Sequence, residues 1–287
     1  RRCKIMRRRL QSRAGGRAWG ASLALLVAIG AGAGTAHADC GNEAGQFGPW
    51  LGRYKAKAVA QGISAATASA SLDGIGYDSN VIRLDRSQRS FKLSFEQFYA
   101  RRVSSSLINR GRGMLRTHAA LLQRIEQRFG VPGAVLVSIW GLETNFGGDG
   151  GGGKSIVQSL ATLAYDCRRS DFFTNELTHA LRIIDRGDIA AGQMRGGWAG
   201  EIGPMQFLPS SYFKYAVDFD GDGRKNLFSS VPDMLASTAN FLKSKGGWQA
   251  GKPWTPGSGN YAALQEWNKA EVYAQTIAVM SARLAGQ

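Results

Sequence analysis

The sequence predicts a mainly α-helical protein. Three observations carry that expectation. Apolar residues recur at three- and four-residue spacing through most segments from Phe47 onward. The stretch Ala134 to Leu142 is apolar at every position except Ser138, as in a helix buried on all sides. No sustained apolar/polar alternation, sequence repeat or coiled-coil heptad is visible, and only a small strand element is expected, around Val217–Leu227. With 287 residues and 44% hydrophobic content, the chain can bury one large core or two smaller lobes.

The elements follow in order. "FGPWLGRYKAKAVAQGI" reads as an amphipathic helix ended by Gly62, and Ser64 caps a short second one. "SFEQFYARRVSSSLINRGRGMLRTHAALLQRIEQRFG" reads as one or two helices ending at Gly130. "VPGAVLVSIWGLETNFG" starts with Pro132 in its first turn and stops at Gly147 and Gly148. A glycine loop, "GGDGGGGKS", follows and reads as flexible. Two further helices lie in "SIVQSLATLAYDCRR" and "DFFTNELTHALRIIDRG". Beyond the Gly-rich connector "GQMRGGWAGEIGPMQFLPSSY" come the acidic turn "DFDGDGRKNL", a helix begun near Pro232, and closing helices from Tyr261.

Charge is uneven. The net +15 includes eight Lys/Arg in residues 1–38, which hold no acid. The remaining 28 basic and 21 acidic side chains leave +7. A basic segment from Arg7 to Arg17, an uncharged run from Ala18 and the "AHA" at Ala36–Ala38 form a secretory signal peptide, with Met6 a plausible start. The mature chain is expected to begin near Asp39 and to lie in the periplasm. The competing reading is an uncleaved membrane anchor, against which the short, Gly-rich core weighs. No dense Lys/Arg run or recognition motif points to nucleic acid. The residual charge suits an anionic cell-wall polymer.

Two cysteines, Cys40 and Cys167, remain after residue 38. In an oxidising compartment such a pair reads as a disulfide, the alternative being two free thiols. Neither has metal-ligand neighbours at zinc spacing.

Glu143 closes the apolar run. A carboxyl placed after apolar turns, near a helix C-terminus and with no Lys or Arg within ten residues, is pushed toward its neutral form. A carboxylic acid neutral near pH 7 can protonate a glycosidic oxygen. The competing reading is a salt-bridged or surface-reaching structural residue. Candidates for a second carboxylate are Asp149 and Glu201, both of which read as solvated or structural.

The acidic turn places Asp218, Asp220 and Asp222 at positions 1, 3 and 5 of an EF-hand-like loop, with Gly223 at 6 and the Arg224 carbonyl at 7. Position 12 is Ser229 rather than Glu, and Asp233 is the candidate to close the site. A metal-free acidic turn is the alternative. Any Ca²⁺ here is expected to be structural, and no organic cofactor is implied.

"WGLETNFG", "LATLAYDCRRSDFF", "WAGEIGPMQFLPSSY", "YAVDFDGDGR" and "WNKAEVYAQTIAVMSARLAG" resemble the membrane-bound type B family of lytic murein transglycosylases. "FGPWLGRYKAKAVAQGIS" and "VIRLDRSQRSF" resemble that family's N-terminal part, so the likeness runs in order over about residues 45–285. It implies a lysozyme-like, goose-type core, about 129–287, with a flanking helical lobe, about 45–128. It implies a monomer acting on peptidoglycan glycan strands. The β-1,4 bond between N-acetylmuramic acid and N-acetylglucosamine would be cut with formation of a 1,6-anhydro end. Glu143 matches the single acid/base, and Gln206, Asn268 and Tyr273 match substrate-contacting positions. Tyr212 is a weaker candidate for the same groove, and Trp267 stands where relatives often have Tyr. The family also carries a calcium site closed by a later Asp. One departure is Gly197, where many relatives have a Ser that contacts the N-acetyl group. The competing functions are a hydrolytic muramidase, a non-catalytic wall-binding protein and a calcium sensor.

Overall fold

The computed structural model describes residues 40–87 and 93–286. The expected signal peptide, residues 1–38, lies outside the described residues. Thirteen α-helices are found among the latter: α1 (Phe47–Ala60), α2 (Ala65–Leu72), α3 (Ser79–Ser87), α4 (Phe95–Arg102), α5 (Ser105–Thr117), α6 (Ala119–Phe129), α7 (Gly133–Thr144), α8 (Ile156–Tyr165), α9 (Ser170–Asp185), α10 (Pro209–Tyr215), α11 (Val231–Ser244), α12 (Gly259–Trp267) and α13 (Glu271–Ala285). None is long and apolar enough to cross a membrane.

Local chemistry sets several boundaries. Ser64 caps α2 as expected, its hydroxyl accepting the Thr67 N–H at 3.1 Å. Ser94 and Gln97 form a reciprocal capping box at α4. Ser104 accepts the Leu107 N–H at 3.1 Å and starts α5. Such caps contribute about 1 kcal/mol each. They also explain a difference from expectation. The segment read as one or two helices before Gly130 is three, because Val103 and Ser104 leave the helical backbone and His118 breaks α5 from α6.

The central helix is α7, which packs against α13, α5, α6 and α11. Val135, Leu136, Val137 and Ile139 are fully buried. Burial of such side chains stabilises by about 1.5–3 kcal/mol each. Helices α1, α2 and α3 pack on α8 and α9. Two covalent or ionic ties hold that side. Cys40 and Cys167 are bonded, with Cα atoms 5.0 Å apart. The buried carboxylate of Asp85, on α3, takes Arg168 at 2.6 Å and also Arg169, both from the α8–α9 turn, and Arg86 at 2.8 Å.

The strand element is not where it was expected. Lys154–Ser155 (β1) pairs antiparallel with Arg195–Gly196 (β2). Between residues 217 and 227 the N–H groups of Phe219, Gly221, Gly223 and Asn226 go to the carboxylates of Asp218 and Asp233, which removes them from any ladder. The β1–β2 pair anchors the glycine loop after α7. Gly152 is required there, because its φ is +96° and a Cβ would lie 2.2 Å from the Gly196 carbonyl oxygen.

Candidate active site

The C-terminal end of α7 is fixed by side chains rather than by Gly147 and Gly148. Asn145 and Phe146 take positive φ, 55° and 60°, and end the helix just beyond Glu143. Non-glycine residues in this region cost about 1–2 kcal/mol each. Compensation is local: Arg110 donates to Asn145 Oδ1 and lies over the Phe146 ring, which packs edge-on against Trp140. Thr144 donates to the Pro204 carbonyl at 2.6 Å and accepts the Gly147 N–H at 3.1 Å. A third positive φ, 54°, belongs to Gln206. All three lie around Glu143, the kind of clustering that strained backbone shows at functional sites.

Glu143 borders a groove of about 320 Å³, also lined by Glu201, Gln206, Phe207, Ser211, Phe241, Lys245, Glu266, Trp267 and Asn268. The residue keeps part of its surface open, while its carboxylate is walled in by protein atoms. Trp267, the last residue of α12, donates its indole N–H to Glu143 Oε1 at 3.0 Å. The indole is held edge-on by Phe207 and Phe241, with centroids 5.3 and 5.2 Å away. Burial pushes the Glu143 carboxyl above the usual range. Trp267, Tyr273 and Arg102 pull it back, and Glu201 pushes it up again. The absence of a nearby cation held along the sequence but not in space: Arg102, at the end of α4, donates to the Leu142 carbonyl.

Gln206 holds the glycine loop against the groove, its Nε2 donating to the carbonyls of Gly151 at 3.0 Å and Gly203 at 2.9 Å. The loop read as flexible is therefore tethered here as well as at β1. Asn268 caps the end of α12 and accepts the Ala270 N–H at 3.0 Å. Tyr273 is buried on α13 behind the groove wall. Its hydroxyl lies close enough to Glu143 and Arg102 to feel their charges, but among the described residues it makes no hydrogen bond of good geometry. Burial, then the Glu143 charge, holds the Tyr273 phenol far above its usual range.

Tyr212 corrects an expectation. It does not line the groove. The residue is fully buried on α10, with its hydroxyl donated to the Lys225 carbonyl. The helical turn sends Ser211 to the groove and Tyr212 to the core. Asp149 is exposed in the glycine loop, whereas Glu201 is half-buried, accepts the Ala199 N–H and shares the groove with Glu143.

Carboxylate oxygens of Asp218, Asp220 and Asp222 gather within 4.8 Å of one another. Three converging carboxylates are the hard oxygen donors that Ca²⁺ takes. Asp233 is not in that cluster. It is fully buried, and its oxygens accept the N–H groups of Phe219 at 2.7 Å and Asn226 at 2.8 Å. It braces the loop from beneath. The Arg224 N–H donates to Asp222 at 2.8 Å.

Over 132 residues the chain is 42% identical to membrane-bound lytic murein transglycosylase B of Escherichia coli, a match covering 45% of this chain and 36% of that protein. The match thus spans about a third of that relative's length. The fold matches SltB3 from Pseudomonas aeruginosa with a TM-score of 0.78 and 30% identity, over 84% of this chain and 80% of that one. SltB3 was solved with NAG-anhNAM-pentapeptide and with NAG-NAM-pentapeptide. An Escherichia coli lytic transglycosylase solved in complex with calcium shares the fold at a TM-score of 0.72 and 24% identity, over 82% of this chain and 92% of its own. Residues 46–258 match the family described as "Transglycosylase SLT domain", and the chain belongs to that family.

Proposed function

We propose that the chain is an exported, periplasmic lytic murein transglycosylase that cuts peptidoglycan glycan strands with Glu143 as its single acid/base. The observation that carries this reading is the Glu143 carboxyl itself, walled in at the edge of an open groove, without an ion pair among the described residues, and biased by burial toward the neutral acid. In the first step Glu143 gives its proton to the glycosidic oxygen as the bond to the muramic anomeric carbon breaks. In the second, the muramic 6-hydroxyl gives its proton to Glu143 and its oxygen bonds to that carbon. No water is consumed. Trp267 stabilises the carboxylate between the steps, and Gln206 and Asn268 offer amide groups to the sugars. Tyr273 supports Glu143 from behind the wall.

Asp218, Asp220 and Asp222 would hold a Ca²⁺, whose two positive charges would offset most of the repulsion among three carboxylates and brace the loop before α11. The reaction needs nothing from it. Glu201 in the groove keeps a hydrolytic muramidase as the second reading, with Glu201 as base toward water.

Digestion of purified sacculi tests the proposal. Wild-type protein should release soluble muropeptides, and Glu143→Gln should fold normally but release none. Release by the variant within a few-fold of wild type would refute the assignment.

A further inference from the structure

Glu201 sits on a rigid turn. Its carbonyl accepts the Gly197 N–H at 2.9 Å, and the next residue, Ile202, exchanges both backbone hydrogen bonds with Phe207 at 2.7 and 3.0 Å. One carboxylate oxygen, Oε2, accepts the Ala199 N–H at 2.9 Å. Among the described residues no other hydrogen bond of good geometry reaches the carboxylate, although the residue's own backbone N–H lies close to it. No Lys or Arg among the described residues pairs with Glu201; the groove's Lys245 is 3.6 Å from Glu266 instead. A largely buried carboxylate with an open oxygen calls for an N–H or O–H donor.

Gly197 is the condition for this arrangement. A Cβ at position 197 would lie 2.1 Å from Glu201 Oε2 and 2.9 Å from its Cδ. The carboxylate occupies the space that any other residue at 197 would fill.

We infer that Glu201 is a substrate-holding residue, its open oxygen accepting the acetamido N–H of an N-acetyl amino sugar in the groove. The groove offers matching partners for both halves of an acetamido group. Asn268 has its Oδ1 engaged by Ala270, which leaves its amide N–H groups free to meet the carbonyl. Gln206 has its N–H groups committed to Gly151 and Gly203, so it presents only an acceptor. Of the two open acceptors, Glu201 in its ionised form is the stronger toward N–H, and a donor there offsets the burial that pushes its carboxyl above the usual range. The inference rests on the glycan-cleaving reading above and names which sugar feature this groove selects.

The test combines kinetics with direct binding of N-acetylglucosamine oligomers by calorimetry. Glu201→Ala should raise KM and the oligomer Kd about tenfold, the cost of one hydrogen bond to a charged group. Glu201→Gln keeps an acceptor in place and should recover most of that loss. Gly197→Ala should weaken binding as Glu201→Ala does, because the added carbon displaces the carboxylate. The double variant should be no worse than either single one, since both remove the same contact. A Glu201→Ala protein with wild-type KM and Kd overturns the inference, as does a loss confined to thermal stability. The glycan-cleaving reading fails separately, if wild-type protein binds the oligomers yet cuts no glycan.

Discussion

The indole N–H of Trp267 donates to Oε1 of Glu143 across 3.0 Å, joining residues 124 positions apart. A neutral carboxyl accepts best through its carbonyl oxygen, so this bond favours placing the acidic proton on Oε2. The same N–H stabilises the anion left after proton donation. Trp267→Phe removes the donor and keeps an aromatic ring. The Glu143 carboxyl should then move further up, because a contact that favours its charged form is gone. Activity depends on the protonated acid and is lost as pH rises through that raised value. The alkaline limb of kcat/KM should therefore shift to higher pH in the variant. The rate should fall about ten- to a hundredfold, matching roughly 1.5–3 kcal/mol for a hydrogen bond to a charged group. A limb that stays put or moves down would contradict the role.

Asp85 joins α3 to the α8–α9 turn through Arg168 and Arg169. Burial pushes its carboxyl up, but the two guanidinium groups outweigh that and hold it below the usual range. A carboxyl with a lowered folded value contributes stability above its unfolded value and loses it as pH falls through the folded one. The arginines are about two-fifths exposed, so the contribution is modest. Asp85→Asn should cost about 1–3 kcal/mol at pH 7. The gap between variant and wild type should close on acidification below about pH 4, the unfolded carboxyl's range. Thermal melts across that range check this, and a gap that widens in acid would be wrong for the assigned sign.

The Cys40–Cys167 bond closes a loop of sequence separation 127. In the chain-entropy picture this stabilises by about 5 kcal/mol. Reduction should lower the melting temperature sharply. A Cys40→Ser/Cys167→Ser double variant should melt at the reduced protein's temperature and ignore reductant. Equal melting with and without reductant in wild type would mean that the bridge does not contribute.

The three-carboxylate cluster of Asp218, Asp220 and Asp222 predicts stabilisation by calcium. Extracellular sites of this kind bind at about 10⁻⁴–10⁻³ M. At ten times Kd the gain is about 1.4 kcal/mol by mass action. Millimolar Ca²⁺ should raise the melting temperature by a few degrees, and Asp222→Asn should abolish the rise. An unchanged melting temperature in wild type at about 10 mM Ca²⁺ would dismiss a working site of that affinity.

Much of this was legible in the chain because burial and capping leave local marks. The apolar run before Glu143 is visible in nine consecutive letters, and so is Ser64 as a cap. Side-chain direction and long-range approach leave none. Tyr212 lies six residues after Gln206, yet the α10 turn sends it into the core and offers Ser211 instead. Arg102 reaches the end of α7 from forty residues upstream, so a ten-residue window could not find it. Glu201 stood in plain view as a possible second carboxylate. What the sequence could not convey is that Gly197 clears room for it beside the groove. Asp233 is expected from the sequence to close the metal site, but it lies outside the carboxylate cluster and holds backbone N–H groups of the loop instead.

The central claim is that Glu143 serves both proton transfers and that the muramic 6-hydroxyl, not water, closes the reaction. Mass spectrometry of the glycan ends released from peptidoglycan tests it most directly. Wild-type protein should yield 1,6-anhydro-muramic ends, one water lighter than reducing ends, and Glu143→Gln should yield neither. Reducing ends as the main product, or anhydro ends from the variant at near wild-type rate, would contradict the account.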